Sequence, residues 1–282
     1  MKSAFAIGLA LVMTLHSGCT GFQVLNSTVP RHGYARSSDL SYGNQSRQKL
    51  DVYRPKHAPA VAKVVIFFYG GSWRAGNKAD YRFVAEALTA RGFIVVLPDY
   101  RLYPAVTFPA FVSDAAAAVR WTHDNITTFG GDANRIYLMG HSAGAHIAAF
   151  LTLDQYYLEA VGLERTAIRA TAGLSGPYDF IPGESDRAVF DLGPSDSPRA
   201  IGPINFVDGH APPMLLIHGL RDQTVEPGNA SRLAARIRAA GGEVECIAYP
   251  RRAHAAVVMA FAWPFRGLAP VLDYVTNYFD EH

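Results

Sequence analysis

The chain has 282 residues, of which 49% are hydrophobic and 18% charged, with a formal charge of +2. That is enough apolar chain for one large domain with a sizeable core, and too few charges for a disordered protein. Lysines and arginines are scattered, without a basic run or aromatic–basic interleaving, so nucleic acid is not an expected partner.

At the N-terminus Lys2 precedes the apolar residues 4–12, and small residues follow at Ser17-Gly18-Cys19. This order reads as a signal peptide over residues 1–19: a charged start, a short apolar stretch and a small-residue exit. The apolar run falls short of the roughly 20 residues that a membrane span needs. Leu15-His16-Ser17-Gly18-Cys19 resembles a bacterial lipobox with Cys19 as the lipidated residue, although His16 stands where that motif has Leu and Leu15 comes one place early. The expectation is an exported protein, periplasmic or anchored to a membrane through Cys19; cleavage and release into the medium is the alternative. The only other cysteine, Cys246, lies in an apolar run and reads as a small core residue. With Cys19 lipidated or removed, no disulfide framework can form.

Residues 20–38, with Pro30 and Gly33, read as a linker, which leaves 39–282 as the folded domain. From there apolar runs of strand length alternate with helical spacing. Strands are expected over 64–69, 93–97, 135–139, 168–174, 214–218 and 244–249. Helices are expected over 81–91 (Phe83, Ala87 and Leu88 on one face, Gly92 as its stop), 111–125, 143–153, 229–240 (Leu233 and Ile237) and 270–279 (Val271, Val275 and Phe279). Continuous apolar strands alternating with helices imply an α/β fold, a mostly parallel sheet with helices on both faces. Between the strands ending at Leu174 and starting at Met214, a long stretch rich in Pro, Gly, Ser and Asp exceeds an ordinary connection. It reads as a small cap insertion over 180–212, with a plain surface insertion as the alternative.

The sharpest local signal is Leu138-Met-Gly-His-Ser-Ala-Gly-Ala-His146, a G-x-S-x-G pattern between an expected strand and an expected helix. Gly140 and Gly144 relieve the crowding of a sharp turn and leave the Ser142 hydroxyl exposed at the strand's carboxyl end. Open α/β sheets place ligands there, and the following helix N-terminus turns backbone N–H groups toward an anion. A serine hydroxyl needs a base. His254, after the last strand, has the right place in the order Ser, acid, His. His141 should point elsewhere at such a turn, His146 should pack under the helix, and His218 lies inside a strand. The acid is Asp222, in a turn just past the strand 214–218, with Asp179 as its rival; Glu226 reads as a helix N-terminal charge. Developing oxyanion charge requires fixed donors, offered by the N–H groups of Ala143, Gly70 and Gly71.

The stretches Tyr69-Gly-Gly-Ser-Trp73, Pro98-Asp-Tyr-Arg-Leu-Tyr-Pro104, Tyr137 to His146, His218-Gly-Leu-Arg-Asp-Gln-Thr-Val225 and Ala253-His254 resemble the α/β-hydrolase superfamily. The closest likeness is its carboxylesterase branch, with the hormone-sensitive-lipase-like esterases, kynurenine formamidases and prenylcysteine methylesterases. The resemblance covers most of residues 50–254. It implies an α/β-hydrolase fold without metal or cofactor, bracing roles for Asp99 and Arg101, and a pocket-lining or loop-packing role for Trp73, taken as substrate-binding. Tyr69 stands where the family usually has His, so that histidine's side-chain role has no obvious heir.

The expected reaction is hydrolysis of a small-molecule carboxylic ester. Ser142 would be nucleophile, His254 base and Asp222 its orienting acid, with Gly70, Gly71 and Ala143 holding the oxyanion. An aryl formamidase or amidase on the same machinery is the enzymatic alternative, and a non-catalytic binding protein the alternative from another class. Short or compact acyl groups are expected, because residues 183–212 offer few large apolar side chains to line a tunnel: Val189, Phe190, Leu192, Ile201, Ile204, Phe206 and Val207.

Overall fold

The computed structural model describes residues 25–57, 61–193 and 198–282. Among them one sheet runs β1-β2-β4-β3-β5-β6-β7-β8. Its strands are β1 (Tyr34–Ser41), β2 (Lys49–Pro55), β3 (Ala62–Phe68), β4 (Ile94–Pro98), β5 (Gly131–His141), β6 (Ile168–Leu174), β7 (Met214–Gly219) and β8 (Val244–Tyr249). β2 is antiparallel to both β1 and β4, and β3 through β8 pair in parallel. β4 is buried at every residue and β3 at all but Lys63. Side chains of a strand point alternately to the two faces, so such burial requires cover on both.

The cover comes from α1 (Arg82–Thr89), α2 (Ala110–Asn125), α3 (Ala143–Leu153), α4 (Gly228–Ala239), α5 (His254–Met259) and α6 (Val271–Glu281). α1 packs with α6, and α2 with α3. The faces expected from spacing are the buried ones: Phe83, Ala87 and Leu88 on α1, Leu233 and Ile237 on α4, Val271, Val275 and Phe279 on α6. α3 is buried at every residue and lies against β3, β5 and β6.

One segment differs from the reading of the sequence. β1 starts at Tyr34, inside the stretch taken as a linker over 20–38, and Leu25, Val29 and Tyr34 are already buried in the core. β1 is buried only at Tyr34, is partly or fully exposed elsewhere and carries an irregularity between Ser37 and Leu40, so it has no apolar run to announce it. Among the described residues of 180–212 there are short helical turns at Glu184–Arg187, Pro198–Ile201 and Pro203–Phe206. They are tied to the domain by Val189, Phe190 and Ile201, all in the main core, and by the Phe108 N–H donating to the Val189 carbonyl at 2.8 Å.

Candidate active site

β5 ends at His141 and α3 begins at Ala143, which leaves Ser142 alone in the turn with φ 55° and ψ −123°. A non-glycine residue in that region carries strain of order 1–3 kcal/mol that the surroundings must hold in place. The flanking glycines show how tightly they do. A Cβ on Gly140 would sit 2.2 Å from the Gly144 carbonyl oxygen, and one on Gly144 would sit 2.0 Å from that of Phe68. The Ser142 N–H is tied to the Leu174 carbonyl of β6 at 2.9 Å. The turn therefore closes only without side chains at positions 140 and 144.

Asp222 lies in the turn after β7, and His254 opens α5. The His254 Nδ1 hydrogen donates to Asp222 Oδ2 at 2.7 Å, and the other carboxylate oxygen accepts the N–H groups of Thr224 and Val225 at 2.8 and 2.9 Å. The Asp222 side chain is fully buried, whereas that of His254 is 16% exposed. Burial alone would push the Asp222 carboxyl up; the Val225 N–H and His254 outweigh it and hold the group below the usual carboxylate range. Since Nδ1 is committed to Asp222, Nε2 is the ring nitrogen left for another partner. Asp179, the rival acid, instead pairs with Arg232 at 2.6 Å. Glu226 accepts the Gly228 N–H at the start of α4, as a helix N-terminal charge does.

Ser142 and His254 line one cleft of about 340 Å³. Gly70, Gly71, Ser72, Ala75 and Gly76 make one wall of it, with Tyr81 and Asp80 alongside. The Gly70 backbone lies directly against the serine, since a Cβ there would come within 2.9 Å of the Ser142 Cβ. Ala143 is the first residue of α3, where N–H groups lack partners within the helix. Tyr69 braces this wall from behind. Its ring stacks between Tyr81 and Tyr100, and its hydroxyl donates to Asp99 at 3.0 Å and accepts from Arg47 at 2.7 Å. Arg47 also donates to the Gly76 and Tyr100 carbonyls, both at 2.8 Å. Asp99 thus holds the loop, and Arg101 pairs twice with buried Asp114, at 2.7 and 2.9 Å.

The structure corrects two side chains. Trp73, expected to bind substrate, is 4% exposed and absent from the cleft wall. It packs among Phe111, Phe180, Phe190 and His146. His141, expected to point away, lines the cleft; its ring lies 4.8 Å from that of His254, and its Nε2 donates to the His254 carbonyl at 3.3 Å. His146 is buried under α3, its Nε2 donating to the Ile201 carbonyl at 2.8 Å. His218 reaches Asp222 at 3.1 Å. Its spacing of four residues before the acid was the available signal, and its place inside a strand concealed it. Cys246 is partly buried on β8. Cys19 and the signal segment lie outside the described residues. Among the described residues no group of three or more His, Cys, Asp or Glu side chains is arranged to hold a metal ion, and no helix is long and apolar enough to cross a membrane.

Sheet order, the strained turn at Ser142 and the cleft it opens onto define the α/β-hydrolase fold. The chain belongs to the BD-FAE family, which matches residues 50–237. Among its relatives is the isoprenylcysteine alpha-carbonyl methylesterase ICME of Arabidopsis thaliana, 32% identical over 240 residues, 76% of this chain and 55% of that protein. Esterase LipC of Mycobacterium tuberculosis is 33% identical over 225 residues, 73% of this chain and 56% of that protein. The chain thus spans little more than half the length of these relatives. Among solved structures, a truncated carbohydrate esterase from gut microbiota superposes with a TM-score of 0.80 at 24% identity, covering 90% of this chain and 99% of that one. Esterase B from Lactobacillus Rhamnosis gives 0.79 at 20% identity, covering 100% and 96%.

Proposed function

We propose that this protein is a serine carboxylesterase acting on short or compact acyl esters. The observation that carries the reading is the 2.7 Å bond from His254 Nδ1 to buried Asp222, with His254 and Ser142 on the wall of one cleft. In this mechanism His254 Nε2 takes the Ser142 proton as Oγ attacks the acyl carbon. The carbonyl oxygen becomes an oxyanion, stabilised by the N–H groups of Gly70, Gly71 and Ala143. The tetrahedral intermediate collapses, His254 returns the proton to the leaving alcohol, and an acyl-Ser142 ester remains. Water, deprotonated by His254, then releases the acid and restores the serine. Asp222 stays ionised throughout and stabilises the imidazolium.

The compact acyl preference rests on the cleft wall, which is made mainly of glycine, alanine and serine. The large apolar side chains of residues 183–212 turn into the core instead: Val189, Phe190 and Ile201 are each at most 3% exposed. That relatives are named as esterases supports the choice of an ester rather than an amide as substrate. From the sequence of residues 1–19 we also propose export and lipidation at Cys19, and from the length and composition of the insertion between β6 and β7 a capping role for 180–212. The test is labelling by a fluorophosphonate, followed by turnover of matched esters and amides. Labelling at Ser142 that is lost in Ser142→Ala, with ester turnover above amide turnover, supports the proposal. No labelling would point to a silent binding protein, and faster turnover of N-formylated aryl amines to a formamidase.

A further inference from the structure

A second histidine holds the acid. His218 Nε2 lies 3.1 Å from Asp222 Oδ2 and 3.1 Å from the Val225 carbonyl oxygen. Both of these atoms are acceptors, so the proton of the His218 ring sits on Nε2. Its Nδ1 is then unprotonated, and among the described residues it is buried without a hydrogen-bond partner. The Asp222 carboxylate therefore accepts four N–H groups: His254 and His218 on Oδ2, Thr224 and Val225 on Oδ1. That uses all of the roughly four lone-pair sites a carboxylate offers.

From this geometry we propose that His218 is a positioning residue for the Asp222–His254 pair, a role that rests on the esterase reading above. Two consequences follow from the shared oxygen. The first is orientation. Val225 both donates to Oδ1 and accepts from His218, so the turn from Asp222 to Val225 is tied to β7 through Oδ2 and the Val225 carbonyl, and Oδ2 is held toward His254. The second is charge. A hydrogen bond from a neutral donor draws charge from Oδ2 and so moderates its pull on the proton that His254 donates to it. His218 itself stays neutral: burial is the largest influence on it and lowers its proton affinity, against the opposing pull of Asp222. The ionisable groups facing this cluster are Asp222 from the turn, His254 from α5 and His141 from the end of β5, with exposed Glu226 further along the turn.

The experiment compares His218→Phe, which keeps a ring but no donor, with His218→Gln, which restores an amide N–H, on the full chain. In His218→Phe, kcat/KM for a simple ester should fall about tenfold or more, and the acid limb of its pH profile should move up by about half a unit to one unit. His218→Gln should recover most of both. An unmoved acid limb in His218→Phe, or equal damage in both variants, would overturn the proposal. Nitrogen NMR of histidine-labelled wild type supplies a readout that needs neither a folded variant nor activity. His218 should show the neutral Nε2–H tautomer at neutral pH, and an Nδ1–H or charged ring there would also overturn it. Failure of the esterase reading shows separately, as ester hydrolysis unaffected by Ser142→Ala.

Discussion

Replacing His146 by phenylalanine should flatten the loss of stability that this protein undergoes on acidification. His146 is completely buried, and burial pushes it down to about 3, against the opposing hydrogen bond to Ile201. His141 is also pushed down to about 3, by burial first and by neighbouring His254 second. In the unfolded chain both titrate near the ordinary value of 6.5. The unfolded state therefore takes up two protons that the folded state refuses until about pH 3, so this stability is complete above about 6.5 and is lost as pH falls between those values. Once the unfolded forms are protonated, each histidine costs about 1.4 kcal/mol per pH unit, about 2.8 for the pair, and His218 acts in the same direction. His146→Phe removes one of these contributions. It also gives up the bond to the Ile201 carbonyl, about 1 kcal/mol at every pH, while keeping ring contacts with Trp73, Phe150 and Phe190. The variant should thus be slightly less stable than wild type at about pH 7 and more stable at about pH 5, the two curves crossing between. Urea unfolding followed by tryptophan fluorescence at about pH 7, 5.5 and 4.5, with a common slope in denaturant, measures this directly. A constant offset between the proteins at all three values would refute the argument.

Four further outcomes are expected. Asp222→Asn should lower kcat by roughly 10⁴-fold with the fold intact, whereas Asp179→Asn, which loses only the exposed pair with Arg232, should be mild; steady-state kinetics showing the opposite order would move the acid to Asp179. Gly144→Ala should abolish ester hydrolysis and cost about 1–3 kcal/mol in unfolding free energy, because its Cβ would stand 2.0 Å from the Phe68 carbonyl oxygen; near-wild-type activity would contradict the turn geometry. On p-nitrophenyl esters, kcat/KM should rise over the first few acyl carbons, each buried CH₂ contributing about 0.8 kcal/mol, and then fall as the wall ends; a continued climb would mean a lipase-like tunnel. Intact-mass measurement of protein from its native membrane fraction should find residues 1–18 missing and a diacylglycerol adduct on Cys19, and an intact Met1 in the mature protein would contradict both.

Much of the fold is legible in the sequence because β3 to β8 and the helices carry patterns that local physics produces. A strand covered on both faces must be apolar throughout, as Ile94 to Pro98 is, and a helix on a sheet must show its stripe, as Val271, Val275 and Phe279 do. β1 and β2 escaped for the converse reason: β1, at the edge of the sheet, is buried only at Tyr34, and β2 keeps Arg54 and Lys49 only partly covered, so neither presents an apolar run. Ser142 was legible because the two glycines that its turn demands lie two residues away on either side in the chain. Asp222 and His254 followed from their order after the strands, but the choice of Asp222 over Asp179 became a distance only when the chain folded, 2.7 Å to His254 for one and an Arg232 partner for the other. Trp73 and His141 lay beyond the reach of sequence patterns, and for His218 only the four-residue spacing before Asp222 hinted at its place. Which way a side chain leaves a strained loop or a strand end depends on neighbours supplied by distant segments: Phe180 and Phe190 around Trp73, the His254 carbonyl beside His141, and the turn from Asp222 to Val225 that closes over His218. Local periodicity determined which segments became strands and helices; the directions of the site's side chains were decided by contacts between residues far apart in the chain, which no local pattern encodes.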